Sequence, residues 1–278
     1  MTIHMESKLN WLLRNVPEGL LVDSAWMESH GYSRALRKQY VQAAWLESPV
    51  RGVFRRPGGK LSWMQVVSSA QLLLHQPFSV GGRSALEVDG YAHYLRHSLK
   101  DLHLYSDEKL PGWLGKLRVG TRFVTHSRTR FLPLIDRLDE RLASLAEYRS
   151  MPEEEKLPGA LRITRLEGYP LILSAPERAI LELIDELPAS ETFHHVDAMM
   201  EGLTNLRPKI LQALLEQCTS VKVKRLFFYF ADRHQHGWLR HLARDTIGMG
   251  SGKRMIVKGG KYIAAYQITV PEEMDGIY

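Results

Sequence analysis

The sequence predicts an α+β protein, with an N-terminal winged helix-turn-helix domain over residues 1–60 and a larger mixed α/β domain over residues 61–278. Three observations carry this. Residues 19–60, GLLVDSAWMESHGYSRALRKQYVQAAWLESPVRGVFRRPGGK, have the spacing of two short helices, a glycine corner and a basic hairpin. Pro57-Gly58-Gly59 then punctuates the chain. Beyond it, strand-like segments and capped helices are interspersed over a length that allows about two domains.

Lys8 to Asn15 reads as a first helix, with Leu9, Leu12 and Leu13 on one side. Asp23 precedes the apolar run Ala25, Trp26, Met27, where its carboxylate can accept the orphan amide protons that open a helix. That helix should stop at Gly31, since glycine takes the left-handed conformation at little cost. Ser33 can then cap a second helix. Residues placed about 100° apart along 33–44 put Leu36, Tyr40 and Ala43 on one side and Arg34, Lys38 and Gln42 on the other, with Arg37 between. Trp45 points to the wrong side of this helix, so it is expected to pack back from the following strand. Residues 46–50 and 52–56 suit a small hairpin, which Arg51, Arg55, Arg56 and Lys60 would crowd.

Residues 1–60 hold nine Lys/Arg against five acids, and the excess falls mostly on the second helix and the wing. This is the charge footprint of a duplex reader, in which cations meet phosphates and side chains near the helix start reach base edges. The candidate DNA-contacting residues are Ser33, Arg34, Arg37, Lys38, Gln42, Arg51, Arg55 and Arg56. The plainer alternative is a solvated basic helix, which the register of corner, cap and hairpin argues against.

In the second domain Ser62 opens the helical stretch SWMQVVSSAQLLLHQ, which Pro77 ends, and a short helix with Ala85, Leu86 and Val88 resumes after Gly81-Gly82. DLHLYS (101–106) alternates as a strand does; 121–126 with 129–132, and a pair around Gly168-Tyr169-Pro170, are further strand candidates. SAPERAILELIDELP predicts a helix with Ser174 as N-cap, Pro176 in the first turn and Glu177 completing a capping box. Residues 193–202 and 207–218 are two more helices, and 223–232 is a buried helix or strand. The end should be a hairpin around Lys258-Gly259-Gly260-Lys261. Pro152-Glu-Glu-Glu-Lys156 reads as a solvated loop.

Net charge +6 and pI near 9.3 favour an acidic partner. The N-terminus lacks a signal peptide's pattern, the longest apolar runs, PLIL and LFFYFA, fall far short of a membrane helix, and a single cysteine, Cys218, allows no internal disulfide. The expected location is cytoplasmic. Cys218, at the end of a helical pattern, reads as a small buried hydrophobe.

Chemistry-bearing patterns are sparse. His93 and His97 share a helix spacing and His103 follows, but no Glu follows His93, Asp89 would be an improvised partner, and no metal is assigned. Residues 248–254, GMGSGKR, look like a phosphate loop, but Ile247 and Arg254 stand where a Walker loop needs Gly and Ser or Thr. A turn into the final hairpin is the better reading. No G-x-S-x-G elbow and no nucleophile with a local base is present, so neither a catalytic residue nor a cofactor is assigned. Residues 220–262 carry ten Lys/Arg against two acids, a patch that could lie along DNA, face RNA or an acidic protein, or be dispersed.

The order of the winged helix, SWMQVVSSAQ, VGGRSALEVDGYAHYL, LHLYSDEKLPGWL, SAPERAILELIDELP, VKVKRLFFYFADR and GSGKRMIVKGGKYIAAYQITVP resembles the AbiEi family of antitoxins from bacterial type IV toxin-antitoxin, or abortive infection, systems. The resemblance covers nearly the whole chain. It implies an N-terminal domain that binds inverted repeats of double-stranded operator DNA in its own promoter and represses transcription. It also implies a C-terminal antitoxin domain that counters a nucleotidyltransferase-like toxin, usually without a stable complex, in phage defence. Carried over by position, the DNA contacts are Arg34, Arg37, Lys38, Gln42, Arg51 and Arg55. The family offers no catalytic residues, and SAPERA and GSGKR are as well read as fold signatures as contact sites. The alternative is an RNA- or nucleotide-handling protein acting through its basic C-terminal half.

Overall fold

The computed structural model describes residues 8–91, 99–128, 130–132 and 160–274, with the backbone of 154–157. Helix α1 (Lys8–Asn15), strand β1 (Leu21–Asp23), α2 (Ser24–Ser29), α3 (Arg34–Gln42) and β2 (Val53–Arg55) make the N-terminal unit. Asp23 caps α2 by accepting the Trp26 N–H at 2.8 Å, and Ser33 caps α3 through the Leu36 N–H at 3.2 Å. Gly31, between them, has φ +79°.

The wing is built differently from the expected hairpin. Only Glu47 and Arg55 bridge across it, whereas β2 pairs along its length with β1: Leu21 with Arg55, Val22 with Phe54, Asp23 with Val53. β1 has no alternating signature of its own, and its partner lies some thirty residues downstream.

Strand alternation gives this two-stranded sheet two faces, and both are buried. Val22 and Phe54 join Leu12, Val16, Met27, Tyr32, Tyr40 and Leu46 in the N-terminal core. Leu21 and Val53 face the other way and pack with Val66, Leu114, Leu117 and Val119 of the larger unit. The Leu21 N–H donates to Ser69 Oγ at 2.7 Å, and a side chain at Gly19 would collide with Gln65 and Tyr169. The winged helix is thus seated on the larger unit.

The larger unit is a mixed six-stranded sheet flanked by helices. Its order is β5-β4-β3-β8-β7-β6, with β3 Phe78–Val80, β4 Asp101–Ser106, β5 Arg122–Ser127, β6 Glu154–Leu157, β7 Leu161–Leu166 and β8 Tyr169–Ser174. β3 runs parallel to β8, and β4 to β5; the other neighbours are antiparallel. β6 contains the acidic run that the sequence predicts as a loop: Glu154–Leu157 pair with 161–164 at the sheet edge. Of the expected strand over 129–132, residue 129 lies outside the described residues and 130–132 form a turn and bend.

Helices α4 (Trp63–Ser68), α5 (Gly82–Val88), α6 (Pro176–Asp185), α7 (Phe193–Gly202), α8 (Pro208–Gln217) and α9 (Val221–His234) complete the unit. Ser62 and Gln65 form a reciprocal capping box at α4, which continues as a wider turn over Ser69–Leu73. α6 forms as expected, but its cap does not: Ala175 is the N-cap, and Ser174 Oγ donates to buried Glu182 at 3.1 Å. Glu177 instead accepts from the backbone and guanidinium of Arg207, at 2.7 to 3.0 Å. Glu182 also takes the Gly82 N–H (2.8 Å) and Arg178 Nε (2.7 Å), so a buried carboxylate ties α5, α6 and β8 together. The C-terminal hairpin pairs β9 (Lys261–Ile263) with β10 (Ile268–Val270). Its turn is 264–267 with Gln267 at φ +53°, downstream of the expected Gly259-Gly260.

Candidate nucleic-acid interface

α3 sorts its polar side chains into two sets. Arg34, Lys38 and Gln42 are exposed and make no hydrogen bond or ion pair among the described residues. Ala35 and Gln39 extend the same exposed arc, which a helical wheel carried one step further would have included. Ser33 is exposed too, its hydroxyl oxygen engaged as the helix cap. None of the described residues of the larger unit covers this face.

Arg37 belongs to the other set, contrary to the sequence expectation. It is 5% exposed, donates Nη1 to the carbonyls of Ser24 (3.1 Å) and Tyr32 (3.2 Å), and pairs Nη2 with Glu28 at 2.7 Å. All three acceptors belong to α2 and the corner, so this guanidinium fixes one helix against the other. Leu36 is half-buried and Ala43 exposed, so Tyr40 and the stem of Arg37 carry the inner face.

The wing divides likewise. Arg51 is exposed at its tip with no partner among the described residues. Arg55, also 5% exposed, pairs with Glu47 and donates Nη2 to the carbonyls of Gly58 (2.9 Å) and Gly59 (2.6 Å), which removes it from the set of available contacts. Arg56 is half-buried and reaches the Leu13 carbonyl at 3.3 Å. Trp45 was expected to pack inward and is 49% exposed. Ala44 adopts a left-handed conformation (φ +57°) that ends the helix, and Leu46 takes the inward place.

The remaining candidates resolve plainly. His93 and His97 lie outside the described residues. His103 bonds His126 at 2.9 Å, His126 bonds Glu186 at 2.9 Å, and Tyr105 stacks on His126. Burial and the neighbouring His126 push His103 down to about 4. Burial raises Glu186, but hydrogen bonds from His126 and Ser190 with the nearby histidine charges outweigh it and leave about 2. No group of three or more metal-ligating side chains is placed to hold an ion among the described residues. Cys218 is buried, which pushes its thiol up. The 248–254 loop turns its carbonyls onto a buried cation: Arg225 binds Met249, Gly250 and Gly252 oxygens, an arrangement opposite to a phosphate cradle.

The 220–262 cations are likewise divided. Lys222 binds the Asp185 and Leu187 carbonyls, Lys224 and Arg225 are buried, Arg233 pairs with Asp197 and Arg244 with Asp232. Arg240, Lys253, Arg254, Lys258 and Lys261 are exposed. No helix among the described residues is long and apolar enough to cross a membrane.

Comparison with known proteins agrees with this architecture. Over 94% of its length the chain superposes on 88% of the RV2827C protein of Mycobacterium tuberculosis, known from a crystal structure, with TM-score 0.52 and 14% identity, a likeness of fold. No curated protein matches significantly. Residues 5–97 match the family described as "Transcriptional regulator, AbiEi antitoxin N-terminal domain", and residues 100–271 match "Transcriptional regulator, AbiEi antitoxin, Type IV TA system". With both regions matched in order, the chain belongs to the AbiEi family, the antitoxin transcriptional regulators of type IV toxin-antitoxin systems.

Proposed function

We propose that residues 1–60 are a DNA-binding unit that recognises inverted repeats upstream of the protein's own gene and represses that operon. The larger unit counters a nucleotidyltransferase-like toxin, without a stable complex between the two, inside the cytoplasm. α3 enters the major groove, where Ser33, Arg34, Lys38 and Gln42 reach base edges and phosphates, and Arg51 and Arg56 hold the adjacent backbone. Arg37 and Arg55 support this surface from beneath.

The observation that supports this reading is the division of the cations: Arg34, Lys38 and Arg51, facing outward from α3 and the wing tip, have no partner among the described residues, and Arg37 and Arg55, facing inward, are engaged. A solvated helix would need no such arrangement of supports.

Anisotropy titration of a labelled duplex from the upstream region tests it. Lys38→Ala and Arg51→Ala should each weaken binding, by about 5- to 100-fold for a base contact, or with a salt slope shallower by about 0.9 for a phosphate contact. Unchanged affinity in both variants would remove the winged helix from the account.

A further inference from the structure

Residues 246–271 contain Lys253, Arg254, Lys258 and Lys261 and no acid. All four cations are exposed. Three large apolar side chains are exposed among the described residues, and two of them fall here: Met255 at 71% and Tyr262 at 39%. The Lys253 ammonium stands 4.9 Å from the centre of the Tyr262 ring. Lys253 and Tyr262 therefore share one surface, within a segment that itself contributes no carboxylate.

The frame beneath is fixed. The buried Arg225 guanidinium gathers the carbonyls of Met249 (2.9 Å), Gly250 (3.0 Å), Gly252 (2.6 Å) and Gln267 (3.3 Å). Gly250 and Gly252 have φ of +62° and +77°, and a side chain at Gly250 would strike Val221. On the far side Arg254 exchanges backbone hydrogen bonds with Gln267 and Thr269, and Thr269 Oγ1 accepts the N–H groups of Ile256 and Val257. With the carbonyls drawn inward, the side chains project from a loop whose shape is set before any ligand arrives.

We propose that this surface binds single-stranded nucleic acid, with unpaired bases stacking on Tyr262 and Met255 and phosphates on Lys253, Arg254 and Lys258. An exposed aromatic ring beside cations suits a strand whose bases are free to stack, the Lys253 ammonium that lies over the Tyr262 ring moving to a phosphate as a base takes its place. A duplex offers its phosphates but keeps its bases stacked on one another, and an acidic protein would leave the ring face unused. The site is separate from α3 and stands or falls independently of operator binding.

Fluorescein-labelled rU12 and dT12 and a 12-base-pair duplex, titrated against the full chain at low salt, provide the test. In the Lys38→Ala/Arg51→Ala background, where the proposed duplex surface is weakened, the chain should bind the single strands at least 10-fold more tightly than the duplex, and preference between rU12 and dT12 identifies which polynucleotide the site serves. Tyr262→Ala should lose about 10-fold and Tyr262→Phe almost nothing. The double variant Lys253→Gln/Arg254→Gln, both exposed, should lose affinity and flatten the salt dependence. Lys38→Ala should bind the single strands as the wild type does. Equal affinity for duplex in that background, no binding of either single strand, or wild-type affinity in both Tyr262→Ala and the double variant would overturn the proposal.

Discussion

Arg37→Ala against Lys38→Ala separates support from contact at adjacent positions. Removing Arg37 deletes its bonds to the Ser24 and Tyr32 carbonyls, about 1 kcal/mol each, and its buried aliphatic stem, about 1 kcal/mol more. The Glu28 pair adds little, about 0.5 kcal/mol, because that carboxylate is 62% exposed. The total is about 3 to 4 kcal/mol, which lowers the melting temperature by about 10 °C for a chain of this size. Lys38→Ala removes an exposed side chain with no partner among the described residues and should stay within about 0.5 kcal/mol of the wild type. Thermal unfolding followed by circular dichroism, with anisotropy titrations on the folded population, reads both properties. Arg37→Ala should melt early yet bind operator DNA within about 3-fold of the wild type while folded, and Lys38→Ala the reverse. An Arg37→Ala protein of full stability that has lost operator binding would refute the division between inner and outer cations.

Acid should weaken the fold through His103. Its folded value of about 4 lies below the usual 6.5, so the unfolded chain takes the proton first and stability falls as pH drops from about 6.5 to 4, by up to about 3 kcal/mol. Glu186, at about 2, adds a further loss as pH falls below 4.5. Urea midpoints at pH 7, 5.5 and 4.5 should converge for His103→Gln relative to wild type; parallel pH dependence in the two would rule out this residue. Gly81→Ala would set a methyl 2.3 Å from Glu182 Oε2 and 2.5 Å from the Tyr105 ring, costing about 2 to 4 kcal/mol as a drop in melting temperature, and a neutral result would mean the α5–α6 junction is looser than described. Arg225→Met should speed hydrogen exchange at the amides of Arg254 and Thr269, whose bonds depend on the loop it gathers; unchanged protection would count against that role.

What the residues revealed locally and what they concealed differ by range. The caps Asp23, Ser33 and Ser62 and the strand 101–106 depend on neighbours a few positions away, and their signals were in the sequence. Glu177 matched a capping pattern, but its carboxylate is taken by Arg207, thirty positions on. β1 was missed because three residues without alternation become a strand only by pairing with β2. For the interface, the wheel separated Arg34, Lys38 and Gln42 from the apolar face, but left Arg37 on the boundary. Its fate was decided by carbonyls on another helix, which no periodicity encodes. At the wing, charge alone could not distinguish Arg51 from Arg55.

The two-faced sheet of β1 and β2 has a mechanical consequence. With Leu21 and Val53 wedged against Val66 and Leu114, the proposed DNA-binding unit is held to the larger unit by packed side chains and not by a tether alone. If two copies occupy the proposed inverted half-sites, that packing limits the separations at which they can meet. Lengthening the gap by half a helical turn should cost them each other, whereas a full turn restores the match.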